Sequence, residues 1–176
     1  MATNKVTADV ESELKMASEA ESTLTEDEIR FFSDTVARVK YSVNVRVPIV
    51  PMNHELLTGK RKEALGICWA TGDGINKPTP FIITIDEFFI HECFIGIEKP
   101  YMKLIPESLE QVIAHEIAHT RYLRHGKKHT ELANRLLYRI EQGEPHGFET
   151  SGEAAPVPES ASVMIAAMQP DTETQH

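Results

Sequence analysis

Cysteine is scarce in this sequence: there are two thiols, Cys68 and Cys93, and no CxxC pair. That excludes a zinc ribbon and a disulfide framework, and it leaves two small side chains expected to be buried inside apolar segments. Long apolar runs are missing too, since no stretch approaches the roughly 18 residues a membrane-spanning helix needs. The opening MATNKVTADVESELKMASEAES has neither the apolar core of a secretory signal nor the basic character of a transit peptide. A cytoplasmic protein is therefore expected. Basic residues are absent from 143–176, which carries six acidic groups, and residues 1–30 carry eight acidic groups against three basic. Residues 31–142 hold fifteen basic and thirteen acidic groups, so the net charge of −9 belongs to the arms. It says little about what the middle of the chain binds, nucleic acid included.

What is present is organised by hydrophobic period. The first 24 residues are polar, rich in Glu, Ala and Ser, and read as a disordered acidic arm or a frayed helix. In TEDEIRFFSDTVARVKYSV, Thr25 and Glu28 form a capping box, and Ile29, Phe32, Val36 and Val39 recur at helical spacing. Three strands are expected next. SVNVRVPIVP alternates Val43, Val45, Val47 and Ile49 against Asn44 and Arg46, and Pro48, lacking an N–H, places it at an edge or ends it early. ALGICWA sets Leu65, Ile67 and Trp69 against small residues, and FIITID alternates Phe81, Ile83 and Ile85. The period of EFFIHECFIGIEKPYMKL assigns it to neither helix nor strand.

A second helix is expected from near Pro106 to a stop at Gly126, with Glu107 and Glu110 at its positive end. A third is expected over 130–142, with Leu132, Leu136, Leu137 and Ile140 facing inward. From Gly143 onward Pro, Gly, Ser and acids dominate, which reads as a disordered acidic tail. Within that tail VMIAAM stands out, either as a docking motif or as an incidental apolar patch. The order is a helix, a small mixed sheet of about three strands, and two helices. It makes an α+β domain over 25–142, between arms at 1–24 and 143–176.

The chemistry concentrates in HEIAHTRYLRHGKKH at 115–129, which packs four of the eight histidines together. His115, Glu116 and His119 form HExxH on a segment that is helical for independent reasons. Residues four apart share a helix face, so both imidazoles can aim a nitrogen at one ion, and zinc accepts neutral imidazole in a tetrahedral shell. Glu116 lies beside that face, where its carboxylate can take a proton from a metal-bound water. Leu109, Val112, Ile113 and Ile117 mark the helix as buried, and ionisable groups on a buried helix need partners. His125 is the first choice as third zinc ligand, because a turn at Gly126 can bring it back. His129 is the second choice if the third helix starts early, and Glu131 and Glu141 are further alternatives.

The stretch FIITID…PYMKLIPESLEQVIAHEIAHTRYLRHGKKH, about 81–137, resembles the SprT-like and YgjP-like group of small zincin metallopeptidases. In that group a strand precedes a Leu/Val-rich lead-in to HExxH, and a third His follows, often as HGxxF or HSxxF. The resemblance implies His115, His119 and His125 as zinc ligands, Glu116 as general base, and protein or peptide substrates. It also implies that substrate adds as an extended strand to the sheet edge above the zinc helix, here 81–86. The departure is His129, where the group usually has a packed aromatic; this keeps His129 open as a ligand, a supporting group or a substrate-facing one. Metzincins share the His spacing but want Gly where this chain has Tyr122.

Other constellations carry less. Tyr122 is either an oxyanion donor or a packed aromatic. Lys60, Lys62 and the group Arg121, Arg124, Lys127 and Lys128 are either phosphate contacts or solvated charges at a helix end. DNA is a possible partner without an added binding module to support it. His91 beside Cys93 lacks a recognisable orienting acid for thiol chemistry, and His54 and His146 are expected at the surface. The alternative function is a non-catalytic, zinc-stabilised interaction or virion accessory protein, whose closed metal site would need a fourth ligand such as His129.

Overall fold

The computed structural model describes residues 2–72, 78–145 and 163–165, with side chains from residue 9 to 145 within those spans. Helices α1 (Ala2–Glu19) and α2 (Glu26–Ser42) lead into strand β1 (Ile49–Met52). Two short 3-10 turns then reach β2 (Gly66–Thr71) and β3 (Thr79–Asp86). Helices α3 (Glu87–Glu98), α4 (Leu109–His119) and α5 (Lys127–Gln142) follow, and a short strand β4 (Val163–Ile165) comes last. The architecture is α+β. The sheet order is β1-β3-β2-β4, with β1 parallel to β3 and the other two pairings antiparallel. Among the described residues no helix is long and apolar enough to cross a membrane.

One face of the sheet carries the main core. Phe32, Val36 and Val39 of α2, Phe89 and Ile90 of α3, Ile113 and Ile117 of α4 and Leu132 and Leu136 of α5 converge there on Ile83, Ile85 and Cys68. The capping box of Thr25 and Glu28 is in place, so the N-terminal N–H groups of α2 are met locally. Ile29, expected in the apolar stripe, is exposed. The alternating segment from Val43 is a strand only at Ile49–Met52, because α2 runs on to Ser42. Val43 and Val47 are buried without strand pairing of their own. β1 is an edge strand, as Pro48 requires. The unassigned apolar stretch is α3, capped by the Asp86 carboxylate on the Phe89 N–H.

The opposite face is covered by α1, a packed helix where a disordered arm or a frayed helix was expected. Val10 and Ala17 are buried against Met52, Leu57, Ile67 and Trp69. Arg61 pairs with Glu13 of α1 at 2.7 Å, so the basic 60–62 stretch helps to seat that helix. The chain between α1 and α2 is tied down through the Glu87 carboxylate, which accepts from the Ser22 hydroxyl at 2.7 Å and the Thr23 N–H at 2.9 Å. Composition alone hides this, because a helix with one apolar strip can pack without being apolar overall. Most of the acidic tail, from 146 to 162 and from 166 on, lies outside the described residues, as does His146.

His54 was expected at the surface but is fully buried. Trp69 Nε1–H donates to Thr84 Oγ1 at 2.9 Å, and Thr84 Oγ1 lies 2.9 Å from His54 Nε2. His54 Nδ1 donates to the Ala64 carbonyl at 2.6 Å. One tautomer satisfies the whole chain of bonds, which binds the 53–64 loop to the sheet. Burial holds this imidazole down at about 4, against an ordinary value of 6.5. The unfolded chain therefore takes up the proton near pH 6.5 and the folded one only near 4, so stability present above 6.5 is lost as pH falls toward 4. Asp86, raised by burial to about 6, acts in the opposite sense below pH 6. Replacing His54 by Ala is expected to cost about 2–4 kcal/mol in urea unfolding at neutral pH, from the cavity and the orphaned partners. The difference from the parent should shrink between pH 6.5 and 4. A difference that stays constant with pH would contradict the buried neutral imidazole.

Candidate metal centre

Helix α4 is capped by Ser108 through a capping box with Gln111 and runs eleven residues, from Leu109 to His119. It ends well before the expected stop at Gly126. The Thr120 hydroxyl turns back onto the Ile117 carbonyl at 2.6 Å, and the Tyr122 N–H donates to Ala118 at 2.9 Å. Residues 120–125 therefore make the turn. Gly126 is extended (φ 168°), and a Cβ there would meet nothing, so its special freedom is not used. Helix α5 begins at Lys127, three residues earlier than expected, and this carries His129 onto a helix facing α4.

These turns gather all four histidines. His115, His119, His125 and His129 each offer a ligand nitrogen within 4.8 Å of the others. Three of the contacts are much closer. The Nε2 atoms of His115 and His125 are 3.0 Å apart, those of His119 and His115 3.1 Å, and those of His119 and His125 3.0 Å. His119 Nδ1 donates to the Tyr122 carbonyl at 3.0 Å, which fixes the proton there and turns a bare Nε2 lone pair toward the other two rings. Protons on the other two Nε2 atoms would then satisfy two of the contacts and collide across the third. No set of tautomers satisfies all three, whereas one cation at their centre does. Nitrogens sharing one tetrahedral zinc ion at about 2.0–2.1 Å lie about 3.3–3.4 Å apart, within a few tenths of the separations found. The donor set thus fits zinc.

His119 is almost wholly buried, and that burial, with His129 and His115 beside it, holds its imidazole neutral far below the ordinary range. Neutral is the form a metal ligand needs. His129 is buried too, with its ring 4.0 Å from that of His119 at an interplanar angle of 31°. Its Nε2 donates to the His115 carbonyl at 3.1 Å, so any metal contact from His129 has to come from Nδ1. Glu131 and Glu141 are exposed and outside the cluster; Glu131 lies 3.8 Å from Lys127 instead.

Glu116 is buried against the start of β2. A Cβ at Gly66 would lie 2.7 Å from Glu116 Cγ, so only glycine admits the carboxylate here. The small residues opposite Ile67 and Trp69 are the sequence signal of this close approach. The Cys68 backbone N–H donates to the Glu116 carboxylate, and Oε2 has no partner among the described residues. Burial pushes the carboxyl up to about 8, against the lowering effect of that one N–H. A buried oxygen without a partner, on the residue beside the histidine triangle, is a place for a water molecule or a substrate hydrogen. Sequence reasoning did not find the Cys68 N–H or the Tyr122 carbonyl, because backbone groups leave no mark in residue type, and it passed over Gly66 although the small residues there are its signal.

The remaining candidates sort by burial. Tyr122 is half-buried and its ring packs against the main core. Cys93 is buried and its thiol is pushed up to about 11, away from nucleophilic thiolate. His91 does have an acid beside it, since its Nδ1 meets the Glu28 carboxylate of α2. β3, the 81–86 segment expected to be a free edge for substrate, is paired on both sides by β1 and β2. The strand beyond it is β2, whose outer side β4 pairs from Trp69 to Thr71.

No family matches. In comparisons with family models, curated proteins and solved structures, nothing resembles the chain closely enough to count as a match.

Proposed function

We propose that the chain is a zinc-dependent metallopeptidase of SprT-like type, acting in the cytoplasm on protein or peptide substrates. One observation carries the reading: three Nε2 atoms converge within 3.0–3.1 Å of one another, and Glu116, next in sequence to His115, is buried with an unpartnered oxygen. His115, His119 and His125 would hold the ion. When bound, zinc supplies Lewis acidity, which brings the pKa of water toward neutrality and polarises a peptide carbonyl. Glu116, whose charged form is favoured by a cation held by the histidines, would then take the proton from the attacking water through Oε2 and return it to the leaving amine. The Cys68 N–H keeps the carboxylate aimed during both transfers. The Tyr122 carbonyl holds His119 in the tautomer that keeps Nε2 bare, and His129 braces the His115 carbonyl and the His119 ring.

The buried fourth histidine favours a second reading, a zinc-stabilised interaction module without turnover. That module needs His129 Nδ1 in a closed four-ligand shell. Purified protein at neutral pH is expected to hold one zinc per chain by elemental analysis, and to cleave an unfolded protein substrate with loss of cleavage on chelation. Folded, full-length protein that binds no zinc would sink both readings. Zinc without cleavage would leave the second.

A further inference from the structure

The outer edge of β2 is filled by the chain itself. Val163–Ile165 pairs antiparallel with it, Val163 opposite Thr71, Met164 opposite Ala70 and Ile165 opposite Trp69. Among the described residues the pairing reaches Trp69, the neighbour of Cys68, whose N–H is given to Glu116. Continued in the same register, a longer occupant runs past Cys68 and Ile67 to Gly66, where the Glu116 side chain rests. The edge thus leads an extended chain from Thr71 to the carboxylate. The surrounding segment SASVMIAAM has no charged residue inside an otherwise acidic tail, which is the chemistry of an apolar stretch exposed by an unfolded protein.

We propose that the outer edge of β2 is a polypeptide-docking edge. The C-terminal segment Val163–Ile165 is its internal occupant, which an incoming extended apolar chain displaces to reach Glu116. The role of Glu116 in this inference rests on the peptidase reading; the docking edge does not. A tethered segment acts at an effective concentration of about 1 mM, so with an intrinsic affinity near 0.1 mM it fills the edge roughly nine-tenths of the time. Substrate then sees an edge about tenfold less available than an open one.

The test uses the full-length chain and its double variant Met164→Pro/Ile165→Pro. Proline removes the N–H groups that the pairing needs. Unchanged zinc content and far-UV circular dichroism serve as the check on folding. The probe is a fluorescent peptide of the sequence SASVMIAAM. Amide exchange at Trp69, Ala70 and Thr71 should quicken in the variant, and the probe should bind it about tenfold more tightly than the parent by anisotropy. Cleavage of an unfolded protein should rise by the same factor. Equal exchange and equal probe affinity in the two proteins would overturn the proposal. Tighter probe binding with no cleavage by either protein would uphold the docking edge and count against the peptidase reading alone.

Discussion

Glu116→Gln is expected to keep one zinc per chain and to lose cleavage by about 10²–10⁴-fold, the usual contribution of a positioned general base. Glutamine has the same shape and keeps an oxygen for the Cys68 N–H, so the seat against Gly66 is preserved. What it lacks is a group that can take a proton from water. The variant therefore separates chemistry from architecture. Cleavage at the parental rate would refute the assigned role. Loss of zinc together with cleavage would make Glu116 a structural residue whose carboxylate holds α4 against β2.

The second large effect concerns the third ligand. His125→Ala is expected to release zinc, with affinity falling by more than about 100-fold, because it removes one corner of the Nε2 triangle. His129→Phe is expected to keep zinc and cleavage, with at most the roughly 10–100-fold loss in affinity that follows damage to groups supporting a ligand. Phenylalanine can stack on His119 as His129 does but cannot donate to the His115 carbonyl. Zinc titration with a competing chromophoric chelator measures both variants. If each substitution releases the metal, the shell has four protein ligands and the non-catalytic reading stands. If only His129→Phe does so, the triangle has been assigned to the wrong histidines.

The helices and strands that carry the site were readable because their signals are local. The capping box at Thr25 and the alternation in FIITID each depend on residues a few positions apart. The pairing of His115 with His119 is of the same kind, since i and i+4 on a helix need no further information to share a face. The turn between α4 and α5 was anticipated but attributed to the wrong residue. It depends on the Thr120 hydroxyl and on Tyr122 reaching back to Ala118, and glycine at 126 contributes no special conformation. The early start of α5 follows, and with it the arrival of His129 in the cluster.

The sequence by itself determined which atoms are available for chemistry: two imidazoles and a carboxylate on one helical turn, two more imidazoles downstream, and no cysteine pair to compete for a metal. Tertiary structure decided how they meet. It closed the Nε2 triangle and committed His129 Nε2 to a backbone carbonyl. It also seated Glu116 in the space left by Gly66, and made β3 an interior strand with β2 the edge that takes β4. The triangle depends on a turn closed by the Thr120 hydroxyl and the Tyr122 N–H. The other three depend on a backbone group or an empty volume from another part of the chain, which the residue types of the motif do not encode.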